Sequence, residues 1–167
     1  MVCTGAGAAT GKLLTNGRAV VVQTGRPIME SLKALFVDDE IEYLQTAIKR
    51  LRKRGIDATG VSGGAEALAV LASQSVDVVV MDVRMPGMDG IEALREIKRR
   101  HPLVEVIMLT GHASMEVAIQ GMEMGAFDYL MKPIDIDELI YKMQDALQKR
   151  QLHFQKIQRK EDKGDGA

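Results

Sequence analysis

The sequence predicts an α/β protein: a doubly wound parallel sheet of five strands in the order 2-1-3-4-5, covered by helices on both faces. Two observations predict it. Short apolar runs alternate five times with segments whose apolar residues recur at helical spacing. One of those runs, VDVVVMDV at 76–83, is apolar on both faces, as a central parallel strand must be.

The elements follow in order. Residues 32–39 (LKALFVDD) are an apolar run ending in acids, and read as the first strand. Ile41, Leu44, Ile48 and Leu51 place a helix over 40–54, stopped by Gly55. Residues 58–61 are the second strand. Ala67, Leu68 and Leu71 mark a helix over 64–73, and residues 76–83 follow as the third strand. Ile91, Leu94 and Ile97 face inward from a helix over 89–100, broken by Pro102. Residues 104–110 are the fourth strand. Ser114 fits an N-cap with Glu116 in the first turn of a helix reaching about Met124. Residues 127–131 are the fifth strand, and Asp135 opens the last helix.

Composition bounds the function. The chain has 167 residues, 46% hydrophobic and 27% charged, which suits one globular domain with residues to spare. No apolar run approaches the length of a membrane span. The single cysteine, Cys3, rules out a disulfide framework or a cysteine-rich zinc site. A net charge of -1 argues against nucleic-acid binding by the whole chain. That charge is uneven. Residues 1–28 carry +3 without an acid, residues 146–167 carry +3, and the block between them carries -7. The acidic block reads as the folded domain, 32–147, between an N-terminal extension at 1–31 and a basic tail at 148–167.

Residues 3–17 are small, Gly-rich and aperiodic, and read as disordered. GAGAATGK fails as a phosphate loop, because Ala6 stands where its first glycine belongs and Leu13 replaces the Mg²⁺-binding Ser/Thr. Met29, just before the domain, is a candidate alternative start.

Ligands of such a sheet bind outside the carboxyl ends of its strands. Those ends carry Asp38-Asp39, Asp82, Thr110 and Lys132-Pro133. Each is commonplace alone: a turn, a cap, a solvated loop. Together, on one rim, they make a site. Two like charges about 4 Å apart repel by about 4 kcal/mol at an effective dielectric near 20. A hard cation with oxygen ligands resolves this, and Mg²⁺ suits a few carboxylates plus waters. Lys132 adds a fixed positive charge. Asp82 is then a carboxylate nucleophile able to accept a phosphoryl group, with the Thr110 hydroxyl placed to hydrogen-bond one of its oxygens.

FVDDE (36–40), MDVRMPGMDG (81–90), LTGHAS (109–114) and AFDYLMKP (126–133) together resemble the receiver domain of two-component response regulators. The resemblance covers about residues 32–147 and implies the flavodoxin-like receiver fold. It implies that Asp82 is the phosphoacceptor. It implies a Mg²⁺ site made by Asp38, Asp39, Asp82 and the main-chain carbonyl of Arg84, with Asp39 the more direct ligand. It implies that Lys132, after a cis bond to Pro133, contacts the phosphoryl group, and that Thr110 and Tyr129 form a switch pair. The implied partners are a sensor histidine kinase or phosphotransfer protein and a downstream protein, with a homodimer on phosphorylation as another outcome. The implied setting is cytoplasmic, with no membrane contact. The Met-rich region of Met115, Met122, Met124, Met131 and Met143 lies on the face that reports phosphorylation in that family, although core packing accounts for methionines as simply.

About 20 residues follow Leu147, too few for a DNA-binding domain, so the reading is a stand-alone receiver. The tail reads as frayed and solvated; the sharper alternative is a helical extension carrying Phe154 and Ile157 to a partner. The competing functions are a Mg²⁺-dependent phosphohydrolase, opposed by Arg84 where a second acid belongs, and a flavodoxin-like cofactor binder, opposed by the lack of a phosphate-cradling loop. His112 is near the rim but is commonly an incidental type in a loop. None of His101, His112 and His153 has the helical-bundle setting of a relay histidine.

Overall fold

The computed structural model describes the backbone of residues 12–15, 18–21, 32–112 and 114–164, with side chains over 32–112 and 114–160. The elements are β1 (Lys12–Thr15), β2 (Arg18–Val21), β3 (Lys33–Val37), α1 (Ile41–Lys53), β4 (Asp57–Val61), α2 (Gly64–Ser73), β5 (Val78–Met81), α3 (Gly90–Arg100), β6 (Glu105–Thr110), α4 (Met115–Glu123), β7 (Asp128–Met131) and α5 (Ile136–Gly164).

Strands β3 to β7 form one parallel sheet in the order β4-β3-β5-β6-β7, the expected 2-1-3-4-5. Side chains alternate across a strand, so each buried strand feeds two cores. Ala34, Phe36, Val78, Val80, Ile107 and Leu109 face one layer, with Leu44 and Leu51 of α1 and Leu139 and Met143 of α5. Leu35, Val37, Val79, Met81, Val106 and Met108 face the other, with Ala67 of α2 and Leu94 and Ile97 of α3. The sheet is therefore sandwiched, which is why β5 and β6 are buried along their whole length.

Local signals explain the ends. Gly55 adopts φ 81° after α1, a left-handed value that suits glycine. Asp89 caps α3 by accepting from the Ile91 and Glu92 N–H groups, while Glu92 reaches back to the Asp89 N–H, a complete capping box. Ser114 accepts from the Val117 N–H at the start of α4. Asp135 accepts from the Asp137 and Glu138 N–H groups as α5 begins.

Four expectations change. Residues 12–21, expected to lack regular structure, contain the antiparallel hairpin β1–β2, with Thr15 opposite Arg18. Asn16-Gly17 lies between them in sequence, a pair favoured in two-residue hairpins. The rest of 1–31, including most of GAGAATGK and Met29, is outside the described residues. The third strand is shorter than 76–83, because only Val78–Met81 pairs on both sides. Residues 148–164 do not fray but continue α5, with 151–160 exposed throughout. Ile41, expected inward, is 48% exposed in the first turn of α1.

The departure of α5 from the body is tied by charge. Lys149 reaches the buried Glu105 at the start of β6 at 3.2 Å, and Lys98 of α3 reaches the same carboxylate at 3.5 Å. Arg150 meets Asp77, just before β5, at 2.5 Å. Asp77 also accepts from the Lys33 N–H. Among the described residues no helix is long and apolar enough to cross a membrane.

Gly90 starts α3 against the end of β5. A Cβ there would overlap the Asp82 carbonyl oxygen and lie 2.8 Å from Val83 Cα, both main-chain atoms. Gly90→Ala is expected to destabilise the protein by about 1–3 kcal/mol, read as a lower urea midpoint with an unchanged slope. A midpoint equal to wild type would show that the contact relaxes freely.

Candidate functional site

The rim at the carboxyl ends of the strands carries Asp38, Asp82, Thr110 and Lys132. The Asp82 N–H donates to the Val37 carbonyl at 2.9 Å and the Asp38 N–H to the Val61 carbonyl at 3.1 Å, so both acids continue the sheet's ladder. The Lys132 N–H donates to the Thr110 carbonyl at 2.8 Å, which brings the end of β7 beside that of β6. Asp38 and Thr110 are fully buried and Asp82 is 5% exposed. The Lys132-Pro133 bond is cis.

Lys132 is the centre. Its Nζ lies 2.5 Å from Asp38 Oδ2, 3.1 Å from Glu40 Oε1 and 3.5 Å from Asp82 Oδ2. It also sits 4.4 Å from the centroid of the Tyr43 ring. Carboxylate oxygens of Asp38, Glu40 and Asp82 all lie within 4.8 Å of one another. Burial opposes the ammonium, but its hydrogen bonds to Asp38 and Glu40 and the charges of Asp38 and Asp82 outweigh it, so the lysine pKa is raised. Burial pushes the Asp38 carboxyl up, against the favourable pull of Lys132 and the Glu40 N–H.

One atom of this site is left over. Asp82 Oδ1 is buried and has no hydrogen-bond partner. An unpaired buried acceptor is costly, and an anionic one more so. With three hard oxygen donors converging, the chemistry of the set fits a small divalent cation such as Mg²⁺.

Asp39 and Arg84 are not in the carboxylate group. Asp39 is half-buried, and Arg84 is exposed in the loop after Asp82. Glu40, absent from the sequence-derived set, takes a place in it. Its signal was the i, i+2 spacing from Asp38: extended backbone puts alternate side chains on one side, and Glu40 precedes the helix with φ -76° and ψ 88°. Tyr43 lies outside the stripe of Ile41, Leu44, Ile48 and Leu51, and nothing local in the sequence marks it as a neighbour of Lys132.

Thr110 and Tyr129 meet through the main chain of His112. Thr110 Oγ1 accepts from the His112 N–H at 3.2 Å, and the Tyr129 hydroxyl donates to the His112 carbonyl at 3.4 Å. Burial raises the Tyr129 hydroxyl pKa. The contribution of residue 112 is thus a backbone one, which side-chain chemistry could not signal.

The family model for the response regulator receiver domain matches residues 34–144. The DNA-binding transcriptional regulator NtrC of Escherichia coli (strain K12) is 41% identical over 122 residues, 73% of this chain and 25% of that protein. The regulatory protein AtoC of the same strain is 40% identical over 116 residues, 70% of this chain and 25% of that one. The chain thus spans about a quarter of the length of these curated relatives. A response regulator receiver domain protein from Clostridium thermocellum superposes with a TM-score of 0.69 at 36% identity, covering 72% of this chain and 98% of its own. The beryllofluoride-activated NtrC4 receiver domain dimer gives 0.67 at 28% identity, covering 71% and 98%. With the matched span taking in all but the first residue of the five-stranded sheet and every residue of the acidic rim, the chain belongs to the response regulator receiver domain family of two-component signalling.

Proposed function

We propose that this receiver accepts a phosphoryl group on Asp82 from the phosphohistidine of a sensor kinase or phosphotransfer protein, in a cytoplasmic setting. The observation that carries this is the buried Asp82 Oδ1 without a partner, on a carboxylate whose other oxygen faces Lys132. An Asp82 oxygen attacks phosphorus. The bond from phosphorus to the donor nitrogen breaks, and that nitrogen keeps the electron pair and takes up a proton from water. Hydrolysis later returns the carboxylate and inorganic phosphate.

Mg²⁺, which when bound supplies positive charge for the phosphoryl oxygens, would be held by Asp38 and Asp82, with Asp39 and the Arg84 carbonyl as the ligands that the family resemblance adds. Lys132 supplies a fixed positive charge from the chain itself and holds the acids together before transfer. The Thr110 hydroxyl donates to a phosphoryl oxygen and gives up its contact with the His112 N–H. That loosens the segment on which the Tyr129 hydroxyl hangs, and the ring turns inward. A packed element with two arrangements is biased by one local charge.

The surface that reports this change is the α4–β7–α5 face. Met115, Ile119, Met122, Met131 and Tyr141 are exposed there, a set of flexible or amphipathic contacts for a downstream protein or for a second activated copy. The NtrC4 receiver forms a dimer in its beryllofluoride-activated form, which favours self-association as one use of this face.

Incubation with acetyl phosphate and Mg²⁺ is expected to load one phosphoryl equivalent per chain, and Asp82→Asn to load none. Labelling retained in that variant would move the acceptor elsewhere. Removing one of three like charges, Asp82→Asn is also expected to melt at or above the wild-type temperature. Asp39→Ala is expected to need about tenfold more Mg²⁺ for half-maximal loading. An unchanged requirement there, with the shift appearing in Glu40→Gln, would give the ligand role to Glu40.

A further inference from the structure

Three carboxylates lie within 3.5 Å of the Lys132 ammonium, and the face of the Tyr43 ring stands 4.4 Å from the same nitrogen. The lysine side chain is only 9% exposed, although Glu40 beside it is open to water. The ring is itself held. Its centroid lies 6.2 Å from that of Phe36, tilted by 58°, and Phe36 is a core residue of β3 at 1% exposure. Tyr43 belongs to the first turn of α1 and packs on the same core layer. A rigid line thus runs from the sheet through Phe36 and Tyr43 to the ammonium.

We propose that Tyr43 is a positioning residue for Lys132, its ring face holding the ammonium against the acids and covering it from water. The proposal rests on the phosphoacceptor reading above. A cation over an aromatic face is attracted by the ring quadrupole, more strongly where water is excluded. The Lys132 stem is flexible, so a wall on one side limits where its charge can stand. Charge held in place before reaction stabilises the developing phosphoryl charge without reorganisation. An aliphatic side chain of similar bulk fills the space but has no such face.

The test uses the full chain with acetyl phosphate and Mg²⁺, comparing wild type, Tyr43→Phe and Tyr43→Leu. Tyr43→Leu is expected to lower the loading rate at saturating donor by about three- to tenfold, with the half-saturating donor concentration unchanged. Tyr43→Phe, which keeps the face, is expected to restore the rate. In proton NMR the Lys132 ε-methylene signals are expected to shift upfield in wild type and Tyr43→Phe, and to lose that shift in Tyr43→Leu. A folded Tyr43→Leu protein loading at the wild-type rate would overturn the proposal, as would Tyr43→Phe falling with it. Should Tyr43→Leu fail to fold, Tyr43→Met takes its place with the same expectation. A wild-type chain that takes up no phosphoryl group would instead overturn the phosphoacceptor reading, while the ring-current shift still reports the contact.

Discussion

Three carboxylates within 4.8 Å share one rim because the Lys132 ammonium stands among them. Each like-charged pair at such range costs on the order of 4 kcal/mol at an effective dielectric near 20, a large fraction of the stability of an ordinary domain. The lysine offsets this only where the chain delivers it. It is contributed by the loop after β7, three strands away from β3 and one beyond the neighbour of β5. The site is thus a product of strand order: acids from β3 and β5 and a cation from beyond β6 meet because parallel strands all end on the same side.

The neutralisation is incomplete by one atom, Asp82 Oδ1. Asp38 is covered by Lys132 and the Glu40 N–H, and Glu40 is open to solvent. Of the three acids only Asp82 is both buried and unsatisfied, so reactivity concentrates on it. Its backbone is correspondingly stiff. The sheet ladder holds its N–H, and α3 lies against its carbonyl through Gly90 with no room for a side chain between them. A soft nucleophile position would let the orphan oxygen turn away to water.

Much of this was legible in the sequence. The five strands and five helices follow from apolar runs and helical stripes, and the rim from reading what each strand ends in. Asp38, Asp82, Thr110 and Lys132 converge as strand order requires. What escaped depends on reach through space. Glu40 was overshadowed by the adjacent Asp38-Asp39 pair, although its alternation with Asp38 was visible. Tyr43 looks like any amphipathic helix residue until the loop after β7 brings Lys132 to its ring. His112 acts through its main chain, about which residue type says nothing.

Residues 151–160 make a helix wholly in solvent, yet its root is fixed where Lys149 and Arg150 meet Glu105 and Asp77. Those two carboxylates stand at the opposite edge of the sheet from Asp82, at the start of the strands rather than the end. The projecting segment therefore behaves as a mast stepped into the keel of the domain, not as a tether. A load on its tip is delivered to the beginnings of β5 and β6, the same two strands that carry Asp82 and Thr110 at their far ends.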